Sequence, residues 1–400
     1  MLAPERRTRS DVIVALGIAL AVIVAVTVVW LRSDARGTTS VTADTTLPPL
    51  ATSVVLPDVL SAVWEFPSAD SSSPIAAGNA AVTADGSDVV GRDPATGDEV
   101  WRYSRNIPLC GAIETWDRVV AVYQDNRGCS QVTSLVADTG ARKDQRNSDA
   151  DAAVTLSADG TYLISRGSTR LELWRSDLVR TLEYGRVDAP VNPTKQPRSG
   201  CELLGAASSS SRLSVLEKCP DDASNRLTVM NPAPKDAQEP EEYGSVVLPD
   251  SIGARILAVS GEKTAVYLPA ANGNPSRISI FDGSGAGVVD YPIDGVVPEK
   301  STVNADKNAI TWWTGTQTIN LRTSDLTPTW IVAGTAGPGT MVSGQLLVPV
   351  PNGIAMINPA DGTVSRMIGV DRGEVTTPIV IAGAGATILE QRGGTLVALR

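Results

Sequence analysis

Beyond residue 60 the apolar residues come in short runs rich in Val, Ile, Leu and Thr, each cut by Asp, Asn, Gly, Ser or Pro. Short apolar runs between turn formers predict β-strands. AAVTADGSDVVGRD (80–93) gives a strand, an Asp-Gly turn and a second strand. AAVTLSADGTYLISRG (152–167) and TMVSGQLLVPVPNGIAMIN (340–358) share that layout. Polar alternation within the runs is weak, as expected for strands packed on both faces. No segment after residue 31 shows the period of an amphipathic helix.

Two segments break the pattern. Residues 12–31, VIVALGIALAVIVAVTVVWL, carry no charge and are long enough to cross hydrocarbon as a helix. Trp30 suits the membrane interface. A cleaved secretory signal is the alternative, but Trp30, Leu31 and Arg32 make a poor cleavage site. An uncleaved single-pass anchor in the cytoplasmic membrane is therefore expected. Arg6, Arg7 and Arg9 precede it, while Arg32 and Arg36 follow. That bias favours residues 1–11 inside and the rest of the chain on the extracytoplasmic side. Residues 32–60 are rich in Thr, Ser and Pro with no apolar period, and predict a linker.

The strand runs recur around one signature. GRDPATGDEVW (91–101) holds Asp93, Thr96 and Gly97, then Trp101; INPADGTVSRMI (357–368) holds Asn358 and Gly362 in the same places. Weaker copies are VADTGA (136–141), VMNPAP (229–234), IFDGSGAG (280–287) and LRTSDLTPTW (321–330). Asp and Asn hold such turns by accepting from the backbone two residues on, and Gly supplies a positive φ. With two further runs ahead of each turn, a unit has four strands, the blade of a β-propeller. Units fall near 75–105, 109–147, 152–187, 200–248, 254–294, 300–333 and 340–370. The stretch 377–400 supplies three strands. Its fourth is expected from AVWEF (62–66), where Trp64 and Phe66 repeat the Trp-bearing pattern of Trp101 and Trp330. The sequence thus predicts an all-β, eight-bladed propeller over 61–400, closed by pairing its two ends. Seven blades, or a pair of β-sandwiches, are the alternatives.

Asp93, Thr96, Gly97 and Trp101 resemble the A-x-D-x-x-T-G-x-x-x-W pattern of PQQ-like repeats. The resemblance implies a propeller like those of quinoprotein alcohol dehydrogenases and BamB-like outer-membrane assembly lipoproteins. It further implies a membrane-anchored actinobacterial envelope protein.

Charge and chemistry then narrow the function. A formal charge of −10 opposes nucleic-acid binding, which needs a basic face. The chain has no His, so a Ser-His-Asp triad and His metal ligands are excluded. A quinoprotein site, by the resemblance, wants a disulfide between neighbouring Cys, a cofactor-stacking Trp and a calcium ion; no two Cys here are adjacent. Trp312-Trp313 reads as blade packing before cofactor stacking. DADAAVTLSADG (149–160) lacks the ligand spacing of a calcium loop, and IAGAGAT (381–387) lacks the Lys of a phosphate loop. No cofactor and no metal are expected. The leading expectation is a non-catalytic scaffold that binds envelope proteins and holds the bilayer through its anchor. A PQQ-type oxidoreductase and a receptor for a small envelope-derived ligand are the alternatives. DAPVNPTKQPRS (188–199) and KDAQEPEEYG (235–244) flank the fourth unit as solvated loops, the first place to look for a partner.

Four Cys allow three pairings. A hairpin turning near Ser208–Ser211 sets Cys201 opposite Cys219, and Cys110 and Cys129 are spaced alike. Cys110–Cys129 and Cys201–Cys219 are therefore expected, with Cys129 and Cys219 each closing the second strand of its unit. Disulfides suit a compartment outside the cytoplasm. Peptide mapping of the exported protein without reductant should recover these two cross-linked pairs; four free thiols would refute them.

Overall fold

The computed structural model describes residues 8–33, 36–51, 55–295, 297–305, 308–373 and 378–400. Arg6 and Arg7, named above, and the first residue of the stretch 377–400 lie outside them. The strands form eight separate sheets, six of four strands and two of five. Within each blade the strands follow one another as an antiparallel meander. Blades 1 to 7 cover 75–105, 109–147, 155–185, 202–247, 255–292, 302–333 and 340–370. In blade 8 the strands of 379–399 are completed by Ala62–Pro67. Trp64 pairs with Ala398 and Phe66 with Leu396, and Ser61 and Arg400 exchange backbone hydrogen bonds at 2.8 and 3.0 Å. Eight blades, not seven and not two sandwiches, form the ring. The irregular third, fourth and fifth units each fold as a full four-stranded sheet.

Among the described residues there is no single central core. The buried apolar residues divide into eight clusters, and each lies between two consecutive blades. Val82, Trp101, Val119 and Tyr123 join blades 1 and 2, for example, and Leu216, Val229, Val266 and Phe281 join blades 4 and 5. The last cluster, Trp64, Ala81, Leu389 and Leu396, joins blade 8 back to blade 1. Middle strands are therefore buried on both faces along most of their length, as in Ala80–Asp85 and Arg170–Trp174. This is why their sequences alternate so weakly.

One contact recurs at the outer corner of the interfaces. Trp101, on the outer strand of blade 1, donates its indole N–H to Ala137 O of the blade 2 turn at 2.8 Å. Trp64 does the same to Pro94 O at 3.0 Å, and Trp330 to Pro359 O at 2.9 Å. Each ring packs against the glycine that ends the turn. A Cβ on Gly97, Gly140 or Gly362 would come within 2.7 Å of the docked Trp, and all three residues have positive φ. Glycine is needed twice over, for the backbone and for the approach. At blades 3 and 6 the preceding outer strand brings no Trp. There the same turn position holds Leu178 (φ 56°) or Leu326 (φ 64°), and both side chains are fully buried. The volume is supplied from the turn instead of from the strand, at the cost of a strained left-handed leucine.

The segment expected as a linker, 32–60, departs most from expectation. Thr38–Val41 adds an antiparallel fifth strand to the outer edge of blade 1, and Val59–Leu60 adds a parallel one to blade 7. Between them Ala43, Leu47, Leu50 and Leu56 pack on blades 1, 8 and 7. Arg366, at the position of the docking Trp in blade 7, donates to Leu56 O at 2.8 Å. The extension thus spans the closing blade and both of its neighbours. Its apolar residues are isolated and aperiodic because it is held by backbone pairing to sheet edges.

The helix Arg9–Leu31 precedes the ring, capped by Thr8 and Asp11, with none of its side chains buried. It is long and apolar enough to cross a membrane, a test that anchors and signal sequences both pass.

Docking sets the stability predictions. Trp101→Ala should cost about 3–5 kcal/mol in denaturant unfolding of the detergent-solubilised chain. Gly140→Ala should also destabilise clearly, whereas Gly86→Ala, with positive φ but open space around it, should cost less. Equal losses at Gly140 and Gly86 would contradict the docking geometry.

Candidate interaction surface

Blades 3 and 4 carry the chain's main additions to the plain repeat. The first insertion, 186–201, links the two blades and includes the short helical turn Pro193–Lys195. The second, 231–241, lengthens the last turn of blade 4. The sequence reads both as solvated, but their middles are pinned onto blade 3. Glu183 N donates to Ala237 O at 2.7 Å, and Gln196 Nε2 bridges Glu183 O and Gln238 O at 3.0 and 2.9 Å. Val191 N donates to Gln238 Oε1 at 3.0 Å. Glu242, expected in a loop, opens the outer strand Glu242–Val247.

Beneath these loops lies a balanced set of charges. Arg170 Nη2 reaches Glu172 Oε1 and Glu183 Oε2, both at 2.6 Å, and all three side chains are buried. Arg180 pairs with both carboxylates from the rim. Gln238 Nε2 adds a hydrogen bond to Glu183 Oε1 at 3.3 Å. Two guanidiniums and two carboxylates cancel, so none is left as an uncompensated buried charge. Their work is to fix the loop above them.

A second network sits in blade 4. Glu217, fully buried, accepts from Thr228 Oγ1 at 2.5 Å and from Tyr184 Oη at 3.0 and 2.9 Å, with Arg198 Nε 3.5 Å away. Burial pushes the Glu217 carboxyl up, and the bonds from Thr228 and Tyr184 oppose it. Burial also raises Tyr184, which stays a donor. Next to Glu217 is the Cys201–Cys219 disulfide. Among the described residues this is the one trio of metal-ligand side chains whose donor atoms come close, and its two sulfurs are spent on each other.

The open surface above is a cavity of about 460 Å³ lined by Lys195, Lys235, Asp236, Glu239, Pro240 and Glu241. One ion pair and two hydrogen bonds to a carboxylate order its rim. Lys195 Nζ lies 3.5 Å from Glu239, and Glu241 accepts from Asn231 Nδ2 at 2.9 Å and Lys235 N at 3.1 Å. A smaller cleft, about 100 Å³, lies where Val55 and Leu56 cross Val342, Met356 and Arg366.

The residues singled out from sequence fall in separate places. Asp93 Oδ1 accepts from Ala95 N at 2.7 Å and Asn358 Oδ1 from Ala360 N at 3.1 Å. Thr96 Oγ1 donates to Asp98 at 2.9 Å. Phe66 packs on Trp64 and lies under the Arg92 guanidinium, 3.6 Å from the ring centre. Trp312 is buried against Tyr267, and Trp313 donates to Thr335 O at 3.0 Å, so the pair packs the blade. Cys110 pairs with Cys129. Cys129, however, opens the third strand of its blade and does not close the second. Both residues sit at bulges, where the register jumps between Leu109 and Gly111 and between Gly128 and Gln131. The ion networks were not foreseen. On the strand Arg170–Trp174, only the alternation of Arg170 and Glu172 with Leu171 and Leu173 marks the two charges as sharing one face.

The chain is therefore an eight-bladed β-propeller preceded by an apolar helix, and solved structures share that fold. A computationally designed protein, Ika8, superposes with a TM-score of 0.56 at 15% identity, over 86% of this chain and 99% of its own. Sqt1 of Saccharomyces cerevisiae gives 0.53 at 9% identity, with the same coverages of 86% and 99%. No protein-family profile and no curated protein matches the chain.

Because Glu217 is raised, the fold favours its protonated form. That contribution to stability is full below the unfolded value and is lost as pH rises through the folded one. Glu217→Gln should therefore raise the melting temperature relative to the native chain at pH 8, an advantage that disappears by pH 4. Equal destabilisation at both pH values would contradict this.

Proposed function

We propose that the protein is a non-catalytic scaffold, PQQ-like in its repeat, anchored in the cytoplasmic membrane and holding a protein-binding surface in the cell envelope. The observation that carries this reading is the blade 3–4 corner. Its loops are unnecessary for closing the ring, yet buried ion pairs and amide bridges hold them in one shape. Rigid loops on a rigid scaffold lose little entropy when a partner binds. The charges beneath them are mutually satisfied, which suits support better than acid–base chemistry. A sequence without His is consistent with this role. A receptor for a small envelope-derived ligand is the second reading, favoured by the 460 Å³ cavity, which is within the size of small-molecule sites.

Cross-linking in intact membranes followed by capture of the tagged chain tests the proposal. A defined envelope protein should be recovered with the native chain and lost when 235–241 is replaced by a Gly-Ser loop. An unchanged partner after that replacement, or none under several cross-linking conditions, would overturn it.

A further inference from the structure

We infer that the ring end carrying the hairpins between second and third strands faces the bilayer at blades 1 and 2, against the lipid headgroups. The inference rests on reading Arg9–Leu31 as a membrane anchor. In each meander the first-to-second and third-to-fourth turns share one end of the blade, and the second-to-third turn lies at the other. Thr38 pairs with Arg105 and Val41 with Arg102, so the extension enters at the end of the outer strand of blade 1. Asn106 N donates to Gly37 O at 2.8 Å, beside the link into blade 2. That link lies at the second-to-third end, since Leu109 N donates to Gly86 O and Gln124 N to Pro108 O. The chain then climbs the blade edge and emerges at the far end, where Ala43 N donates to Thr139 O in the last turn of blade 2.

Only residues 32–37 join the helix to this entry point. Fully extended they reach about 20 Å at ~3.4 Å per residue. A bilayer at the opposite end would require them to run back along a blade strand such as Arg118–Asp125, about 26 Å long at ~3.3 Å per residue. The Arg36 guanidinium, one residue before Gly37, lies over the ring of Trp30, 5.2 Å from its centre. The ring edge is therefore within a side chain's reach of the residue at the membrane interface. The Lys235–Glu241 loop belongs to a third-to-fourth turn and so faces away from the lipid, where a partner can approach it.

Fluorescent side chains introduced at Asn126 and at Asp117 test this in the full chain. The two exposed positions flank one strand, Arg118–Asp125, at opposite ends of blade 2. In nanodiscs containing headgroup spin-labelled lipid, quenching should be several-fold stronger at Asn126. A ten-residue Gly-Ser insertion after Ser33 should remove most of that difference. Equal quenching in the native chain, or stronger quenching at Asp117, would overturn the orientation. Flotation of the same samples with vesicles separates the two ideas. A chain that fails to float sinks the membrane reading, while one that floats but quenches equally at both positions sinks the orientation alone.

Discussion

The ring depends on how one blade's outer strand meets the next blade's last turn. A single four-stranded sheet buries little by itself; it becomes stable because both faces are covered by neighbours. At five of the eight interfaces the outer corner is filled by a large apolar side chain. Where Trp64, Trp101 and Trp330 supply that side chain, the turn ends in glycine and offers a carbonyl to the indole. Where Leu178 and Leu326 supply it, the turn accepts a left-handed leucine. These are two ways of filling one space, and the cavity left by neither would cost several kcal/mol.

A closed ring has no first or last interface, so its ends must be joined as firmly as its middle. Here the join is made three times. Ala62–Pro67 completes blade 8, Trp64 docks on blade 1, and the described residues of the extension, 38–51 and 55–60, lie across blades 1, 8 and 7. The extension also covers two outer edges that would otherwise be open to foreign strands. Other edges are protected differently. Blade 2 ends in the charged strand Arg142–Asn147, and blade 3 is covered by the loop through Ala237. A ring built in this way makes a stiff platform, which is what a surface for docking partners requires. Its joining segment is also the one that leads to the helix.

The blades were legible because their turns are local chemistry. Asp93, Thr96 and Gly97 announce a turn whatever surrounds them, and a short apolar run between two such turns has few options but a strand. Cys201 and Cys219 were legible for the same reason, since one hairpin sets their spacing. What escaped depends on contacts distant in sequence. The strands Thr38–Val41 and Val59–Leu60 are recruited by backbone groups on blades 1 and 7, which leave no mark on side-chain pattern. Cys129 was placed on the wrong strand because paired bulges carry the bridge past the middle strand. The buried set of Arg170, Glu172, Arg180 and Glu183 is invisible until the insertions fold over it. Leu178 and Leu326 look unremarkable in sequence, and their role appears only beside the tryptophan they replace.

Closure is the claim on which the rest stands, and native-state hydrogen exchange tests it most directly. The amides of Ala62–Pro67 and Thr395–Leu399 should be protected to the same degree as those of the paired outer strands in blades 4 to 6 and should open together with them. Exchange at the rate of a free peptide in 62–67, with the other blades protected, would mean that the ring is open and would contradict the account.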